Sequence, residues 1–335
     1  MIKFAYKSLV LLNLSLSTSQ VLFANGDYQT ASLYFNEEEY EDASAEFKKI
    51  LDNADEKIEI KGKAGFYFAE CLFRLKKYKE SRDAFVLYLK NYKEDLKRPE
   101  GQYRISECFY FLENFKKAAL GYERFIKENS QHELLADALY SLGGSYLETG
   151  EFKLALKAYQ NLVKTFPAHK YVEPAEYYIG WVYYRGDDYE NAGKTFQQFF
   201  EKYTSSKYAI EALLRSADAL FRVKEYRPAL ENYNKVLRNG QGAYEKEAKQ
   251  GIAWAYYKLK EYGKASSYFL TIARDEKSIS PKAEAYYQAI QSYFSGEDFV
   301  NGLKVSSELG EKCKGHDLVG DSYYWRGFFY KQIGR

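Results

Sequence analysis

The chain has 335 residues, 46% of them hydrophobic, with 49 basic and 47 acidic side chains; that much apolar material buries a continuous core and excludes a disordered chain. Its 35 tyrosines and 23 phenylalanines, against five prolines and one methionine, call for an architecture that consumes aromatic rings repeatedly. Setting aside the two lysines of the first 24 residues leaves 47 basic and 47 acidic residues, a balance that argues against nucleic acid or an acidic membrane surface as partner.

Residues 1–24 read as an export signal. Lys3 and Lys7 form a basic start, Leu9 to Phe23 is mostly apolar, and Ala24 closes the segment. Asn13, Ser15, Ser17, Thr18, Ser19 and Gln20 interrupt the apolar run, which is shorter than the roughly 20 apolar residues of a spanning helix, so a cleaved signal is preferred to an anchor. Leu22 stands where a small residue is usual before a cleavage site, and no cysteine follows to carry a lipid.

From residue 25 onward one pattern recurs, an aromatic residue, a small one three places on and a second aromatic four places further. It runs Tyr40, Ala43, Phe47; Tyr78, Ser81, Phe85; Phe115, Ala118, Tyr122; Phe152, Ala155, Tyr159; Tyr189, Ala192, Phe196; Tyr226, Ala229, Tyr233; Tyr262, Ala265, Phe269; and, weakened, Phe299, Gly302, Ser306. The leading residues are spaced by 38, 37, 37, 37, 37, 36 and 37 positions. Spacing i, i+3, i+7 places all three side chains on one helical face, where the small residue admits a neighbouring helix and the rings fill the space on either side. A first helix precedes each of these, clearest as Leu139, Leu142, Gly143, Tyr146 and the turn at Gly150.

This stretch resembles the tetratricopeptide repeat, since Leu142, Gly143, Tyr146, Ala155, Tyr159 and Pro167 fall at that family's signature spacings. Ile179, Gly180, Tyr183, Ala192 and Phe196 repeat the match, as do Ile252, Ala253, Tyr256, Ala265 and Phe269. The resemblance implies an all-α, right-handed superhelical solenoid of helix-turn-helix repeats, about eight of them over residues 25–311, with residues 312–335 as the first helix of a ninth. Units of about 37 residues rather than 34 are similar to exported bacterial relatives among outer-membrane assembly lipoproteins and Tol-system accessory proteins. Tyr323, Gly327, Tyr330 and Gly334 fit that ninth helix. Its missing mate leaves two readings, a protein that continues beyond Arg335 into a further domain, a catalytic one included, or a helix that serves as the cap.

The resemblance also implies that the first helix of each unit lines a concave groove. Its expected first row is Phe66, Tyr103, Tyr140, Tyr177, Leu214, Tyr287 and Tyr324, and its second Phe73, Tyr110, Leu147, Tyr184, Phe221, Tyr257 and Phe294. Trp181 and Trp254 stand between the rows, with Arg74, Arg185, Arg222 and Lys258 beside them. Such rings with basic edges suit an extended peptide or a helix, the rings giving contact area at low entropic cost and arginine anchoring carboxylates; the alternative is that lengthened helices use the same rings for packing between repeats.

Catalytic, metal and cofactor signatures are missing from the sequence. His132, His169 and His316 fall in turns of separate units, and no glycine-rich phosphate loop interrupts the repeats. Glu70 and Glu107 read as a solvated groove edge, and Cys71, Cys108 and Cys313, without Cys-x-x-Cys spacing, as small buried hydrophobes. The expected function is a non-enzymatic scaffold or adaptor, without cofactor, that holds a protein or peptide partner in the periplasm or cell envelope of a bacterium, near a membrane only through its assembly. Cell-wall glycan is the alternative ligand, because the same rings stack on sugars.

Overall fold

The computed structural model describes residues 26–239, 242 and 244–334, so the expected export signal lies outside the described residues. Every regular element among them is a helix, and none is long and apolar enough to cross a membrane. The chain divides into two compact units, one up to Ala175 and the other from Glu176. In the first, hairpins form from α1 (Gly26–Asn36) and α2 (Tyr40–Asp52), α3 (Ile58–Arg74) and α4 (Tyr78–Asn91), α5 (Arg98–Phe111) and α6 (Phe115–Glu128), and α7 (Leu135–Thr149) and α8 (Phe152–Thr165). The division falls within α9 (Val172–Arg185), which pairs in the second unit with α10 (Tyr189–Lys202). There follow α11 (Ala209–Arg222) and α12 (Tyr226–Asn239), α13 (Glu245–Lys258) and α14 (Tyr262–Asp275), α15 (Ile279–Ser295) and α16 (Phe299–Lys312), and α17 (Leu318–Gln332).

Each second helix begins at the leading aromatic of the sequence pattern, and the pattern is its core face. Ala43, Ala118, Ala155, Ala192, Ala229 and Ala265 are wholly buried, as are the trailing rings of Phe47, Phe85, Tyr122, Tyr159, Phe196, Tyr233 and Phe269 to within a few per cent. Burial of each such ring contributes roughly 1.5–3 kcal/mol. The rings enter gaps left by glycine. A Cβ placed on Gly143 would lie 2.7 Å from the Tyr159 ring, and one on Gly180 would lie 2.6 Å from that of Phe196.

The turn inside each hairpin uses one left-handed residue at the repeat interval: Glu38, Lys76, Glu113, Gly150, Asp187, Lys224, Lys260 and Glu297. The residue after it donates its N–H back across the helix end, as in Lys77 to the Leu72 carbonyl (2.9 Å), Asn114 to Phe109 (2.8 Å) and Glu225 to Leu220 (2.9 Å). This closes carbonyls that a helix C-terminus otherwise leaves open. Only Gly150 meets the positive φ without strain from a Cβ. Gly150→Ala is therefore expected to destabilise the first unit by about 1 kcal/mol, and Lys224→Gly to stabilise the second by a similar amount. Urea unfolding checks both, and midpoints that move in the reverse directions would contradict the assignment.

The links between hairpins also repeat. Asp95 Oδ1 accepts the Lys97 N–H (2.9 Å), His132 Nδ1 that of Leu134 (3.1 Å), His169 Nδ1 that of Tyr171 (3.4 Å), Ser206 Oγ that of Tyr208 (3.1 Å) and His316 Nδ1 that of Leu318 (3.2 Å). The three histidines thus occupy one repeat position and cap the approach to the next helix, a task that needs Nδ1 unprotonated. For His169, burial lowers the pKa against the pull of Asp137, which favours the neutral ring.

Candidate functional site

In the expected first row, Phe66, Tyr103, Tyr140, Tyr177 and Leu214 are packing material, whereas Tyr287 is half-buried and Tyr324 is 70% exposed. Phe66, Tyr103, Tyr140 and Tyr177 are buried against their own hairpin partners, through Phe85, Tyr122, Tyr159 and Phe196. Tyr140 stacks on Tyr171 with centroids 4.4 Å apart, and Tyr177 on Tyr208 at 4.5 Å. Trp181 is 4% exposed, enclosed by Tyr177, Tyr184 and Phe196, so it offers a ligand no face. Trp254 is half-buried against Tyr257 and Phe269. The reason is geometric, since the residue following the small position on the first helix still points into the layer between hairpins.

The second row closes the hairpins. Its rings meet the leading aromatic of the next helix edge to face at nearly constant separation: Phe73–Tyr78 5.4 Å, Tyr110–Phe115 5.1 Å, Tyr184–Tyr189 5.3 Å, Phe221–Tyr226 5.3 Å and Tyr257–Tyr262 5.3 Å. Such pairs contribute about 0.5–1.5 kcal/mol beyond area burial, and they account for much of the demand for aromatic residues. Phe73 is buried, whereas Tyr110, Tyr184, Phe221 and Tyr257 keep part of their surface in solvent.

Glu70 and Glu107 are not a solvated edge. They are 0% and 4% exposed and share the guanidinium of Arg104, itself 1% exposed. Arg104 Nε and Nη2 donate to the two oxygens of Glu70 at 2.7 and 2.8 Å, and Nη1 donates to Glu107 Oε2. The guanidinium also lies 4.6 Å from the Phe73 ring centroid. Arg74 Nε donates to Glu70 Oε1 at 2.8 Å, so this cation, expected beside the groove, is consumed within the first unit. Burial pushes Glu107 up to about 7, against the charge and hydrogen bond of Arg104. Burial also works to lower Arg104, but Glu70 and Glu107 together outweigh it and hold the guanidinium charged.

The second unit contains a variant of this centre. Arg215 stands three repeats after Arg104, and Asp218 three repeats after Glu107. Arg215 Nη1 donates to Asp218 Oδ2 at 2.8 Å, Tyr233 Oη donates to Asp218 Oδ1 at 2.8 Å, and the Arg215 guanidinium lies 5.4 Å from the Trp181 ring, which takes the place of Glu70. Burial raises the Asp218 pKa despite these donors. Reading the sequence by motif misses both arginines. Their signal is an arginine three residues before a carboxylate at one repeat position, on a face otherwise apolar.

What remains open to a ligand is clearest in the second unit. Three successive first helices end on a half-exposed ring followed by a cation: Tyr184 and Arg185, Phe221 and Arg222, Tyr257 and Lys258. Arg222 is exposed, its guanidinium 5.7 Å from the Tyr189 ring centroid, and Lys258 is exposed as well. Tyr257 Oη lies 3.0 Å from Ser295 Oγ. A ring beside a guanidinium or ammonium accepts an apolar side chain and a carboxylate together.

A family model described as YfiO, an outer-membrane lipoprotein, matches residues 133–214. No curated protein matches the chain significantly. Among solved structures, the C-terminal part of a tetratricopeptide repeat-containing protein from Cytophaga hutchinsonii is similar at 17% identity, covering 79% of this chain and 98% of that one with a TM-score of 0.61. The apo form of RapI covers 92% of this chain and 97% of its own at 13% identity and TM-score 0.55. A tetratricopeptide repeat protein from Parabacteroides merdae covers 80% and 98% at 13% identity and TM-score 0.51. Repeat interval, hairpin geometry and these likenesses agree, and in fold the chain is a tetratricopeptide-type solenoid of tandem helical hairpins.

Proposed function

We propose that this protein is a non-enzymatic scaffold or adaptor of the bacterial cell envelope, binding an acidic segment of a partner protein along the ring-and-cation steps of its second unit. The observation that carries the reading is the threefold recurrence of Tyr184–Arg185, Phe221–Arg222 and Tyr257–Lys258 at the ends of α9, α11 and α13. A surface of half-exposed rings with adjoining cations matches the residue types that dominate protein interfaces. The match of residues 133–214 to the outer-membrane lipoprotein model supports an envelope location.

The test uses surface cations, because Trp181→Ala would empty a core site at a cost of about 3–5 kcal/mol and confound binding with stability. Wild-type chain and an Arg222→Glu, Lys258→Glu variant are crosslinked in cells, purified and compared by mass spectrometry. The expected result is a discrete envelope protein recovered with wild type and reduced about tenfold or more with the variant, a difference of 1.4 kcal/mol or more, at equal thermal stability. Equal recovery with both overturns the site. Retention on purified cell-wall sacculi that the variant abolishes, with no protein recovered, assigns the steps to glycan instead.

A further inference from the structure

We propose that His132 and His169 are an acid-operated latch of the first unit. Each ring, while neutral, holds the turn before the next first helix; on taking up a proton it leaves that turn for a carboxylate beside it. Asp95, His132, His169 and Ser206 stand at 37-residue intervals in equivalent links. In each link the side chain accepts the N–H two residues on, and the carbonyl accepts the N–H three residues on, as from Leu135 to His132 and from Val172 to His169, both at 3.0 Å. The position requires an acceptor, and histidine is the one residue of this set that loses that capacity between about pH 5 and 8.

The second seat is a carboxylate in both cases. His132 Nε2 lies 3.8 Å from Glu100 Oε2 of α5, an oxygen shielded from solvent that accepts no hydrogen bond from the described residues. The other Glu100 oxygen lies 3.6 Å from the Lys97 ammonium. His169 Nε2 lies 3.6 Å from Asp137 Oδ2 of α7, whose Oδ1 is 3.9 Å from Lys170 Nζ. Arg104 and Glu107 of α5 also act electrostatically on Asp137. Both imidazole–carboxylate separations are too long for hydrogen bonds while the ring is tied to its turn. A proton on Nδ1 sets two donors face to face, the imidazolium N–H and the backbone N–H of Leu134 or Tyr171, and the new charge draws the ring to the carboxylate. Burial lowers the His169 pKa, so the folded unit takes up this proton less readily than the unfolded chain. The stability that the latch supplies is therefore present above about pH 6.5 and is lost as pH falls below that value. Asp137 and Glu107, with raised pKa values, act in the opposite sense, so histidine must be compared with a residue that does not titrate. Release unseats Tyr171, which stacks on Tyr140 at 4.4 Å, and with it the cover over a ring of the expected groove row.

Amide hydrogen exchange of the full chain at pH 7.5 and 5.0, corrected for intrinsic rates, tests the latch. From the higher to the lower pH the Leu134 and Tyr171 amides are expected to lose about tenfold or more of their protection, while the Tyr208 amide, held by Ser206, keeps its own. The variant His132→Ser, His169→Ser is expected to protect both amides equally at the two pH values, since serine already fills this role at residue 206. Glu100→Gln and Asp137→Asn are each expected to move the midpoint of the loss at the neighbouring amide to lower pH, because a carboxylate favours the charged ring. A measurement that needs no variant is the nitrogen spectrum of the wild-type chain labelled with 15N in histidine alone, where Nδ1 of both rings is expected to be unprotonated and hydrogen-bonded at pH 7.5. Unchanged protection in wild type, an equal loss in the serine variant, midpoints that neither carboxylate variant moves, or a proton on Nδ1 at pH 7.5 each overturns the proposal.

Discussion

Arg104→Met is expected to destabilise the first unit by about 3–5 kcal/mol, the usual consequence of leaving buried carboxylates without their cation. Glu70 and Glu107 approach Arg104 from two different helices, α3 and α5, so the loss appears as early unfolding of that hairpin layer. The deficit should also depend on pH. The folded pKa of Glu107 is already raised from 4.5 to about 7, so the folded state holds its proton more tightly than the unfolded chain does. Stability from this group is fully present below about pH 4.5 and is lost as pH rises through 7. Removing the arginine raises the folded pKa further, so the loss that begins at the unfolded pKa continues beyond pH 7 in the variant and has ended there in wild type, and the gap between them is expected to widen from pH 5 to pH 8. Urea unfolding at both pH values checks it. A triple variant, Glu70→Leu, Arg104→Met and Glu107→Leu, is expected to recover most of the loss, since well-packed apolar groups commonly replace a buried ionic set without penalty. Were Arg104→Met alone as stable as wild type, the network would be ornamental.

Gly251→Ala is expected to destabilise the second unit by about 2 kcal/mol, within the range for overpacking a filled core. A Cβ at this position would lie 2.3 Å from Cζ of Tyr233. That ring is 2% exposed and pinned by its hydroxyl on Asp218, which Arg215 holds in turn, so the ring cannot step aside without breaking its charge-assisted hydrogen bond. Gly263→Ala provides the contrast, because nothing lies within 4 Å of that Cβ, and alanine there gains helix propensity of up to about 1 kcal/mol. In the double variant Gly251→Ala, Tyr233→Leu, the two losses are expected to add to less than their sum, as for residues in direct contact. Strict additivity by thermal or urea unfolding would disprove the clash.

The sequence by itself determined the fold class, because the tetratricopeptide-type pattern is local. An aromatic–small–aromatic face at i, i+3, i+7 requires one helix in each unit, its return every 36 to 38 residues requires tandem hairpins, and the rings of Phe47, Phe85, Tyr122, Tyr159 and Phe196 are core in the structure as that pattern demands. Tertiary structure alone decided which of the remaining rings face solvent. Trp181 and Tyr177 satisfy the same helical spacing as a groove residue, yet the link carrying Tyr208 stacks on Tyr177 while Phe196 of the next helix and Arg215 of α11 pack against Trp181, and spacing along one helix does not encode the position of its neighbours. The same limit hid Arg104. Its partner Glu70 lies 34 residues away, so an isolated arginine and an isolated glutamate each read as surface until packing of α5 on α3 brings them together beyond the reach of water. Glycine shows the boundary between the two levels. Gly180 receives Phe196 from its own hairpin, as the repeat pattern predicts, but in the repeat where that position is Ala217 the Tyr233 ring lies instead over Gly251 of the following hairpin, because a ring enters whichever gap the assembled layers leave open.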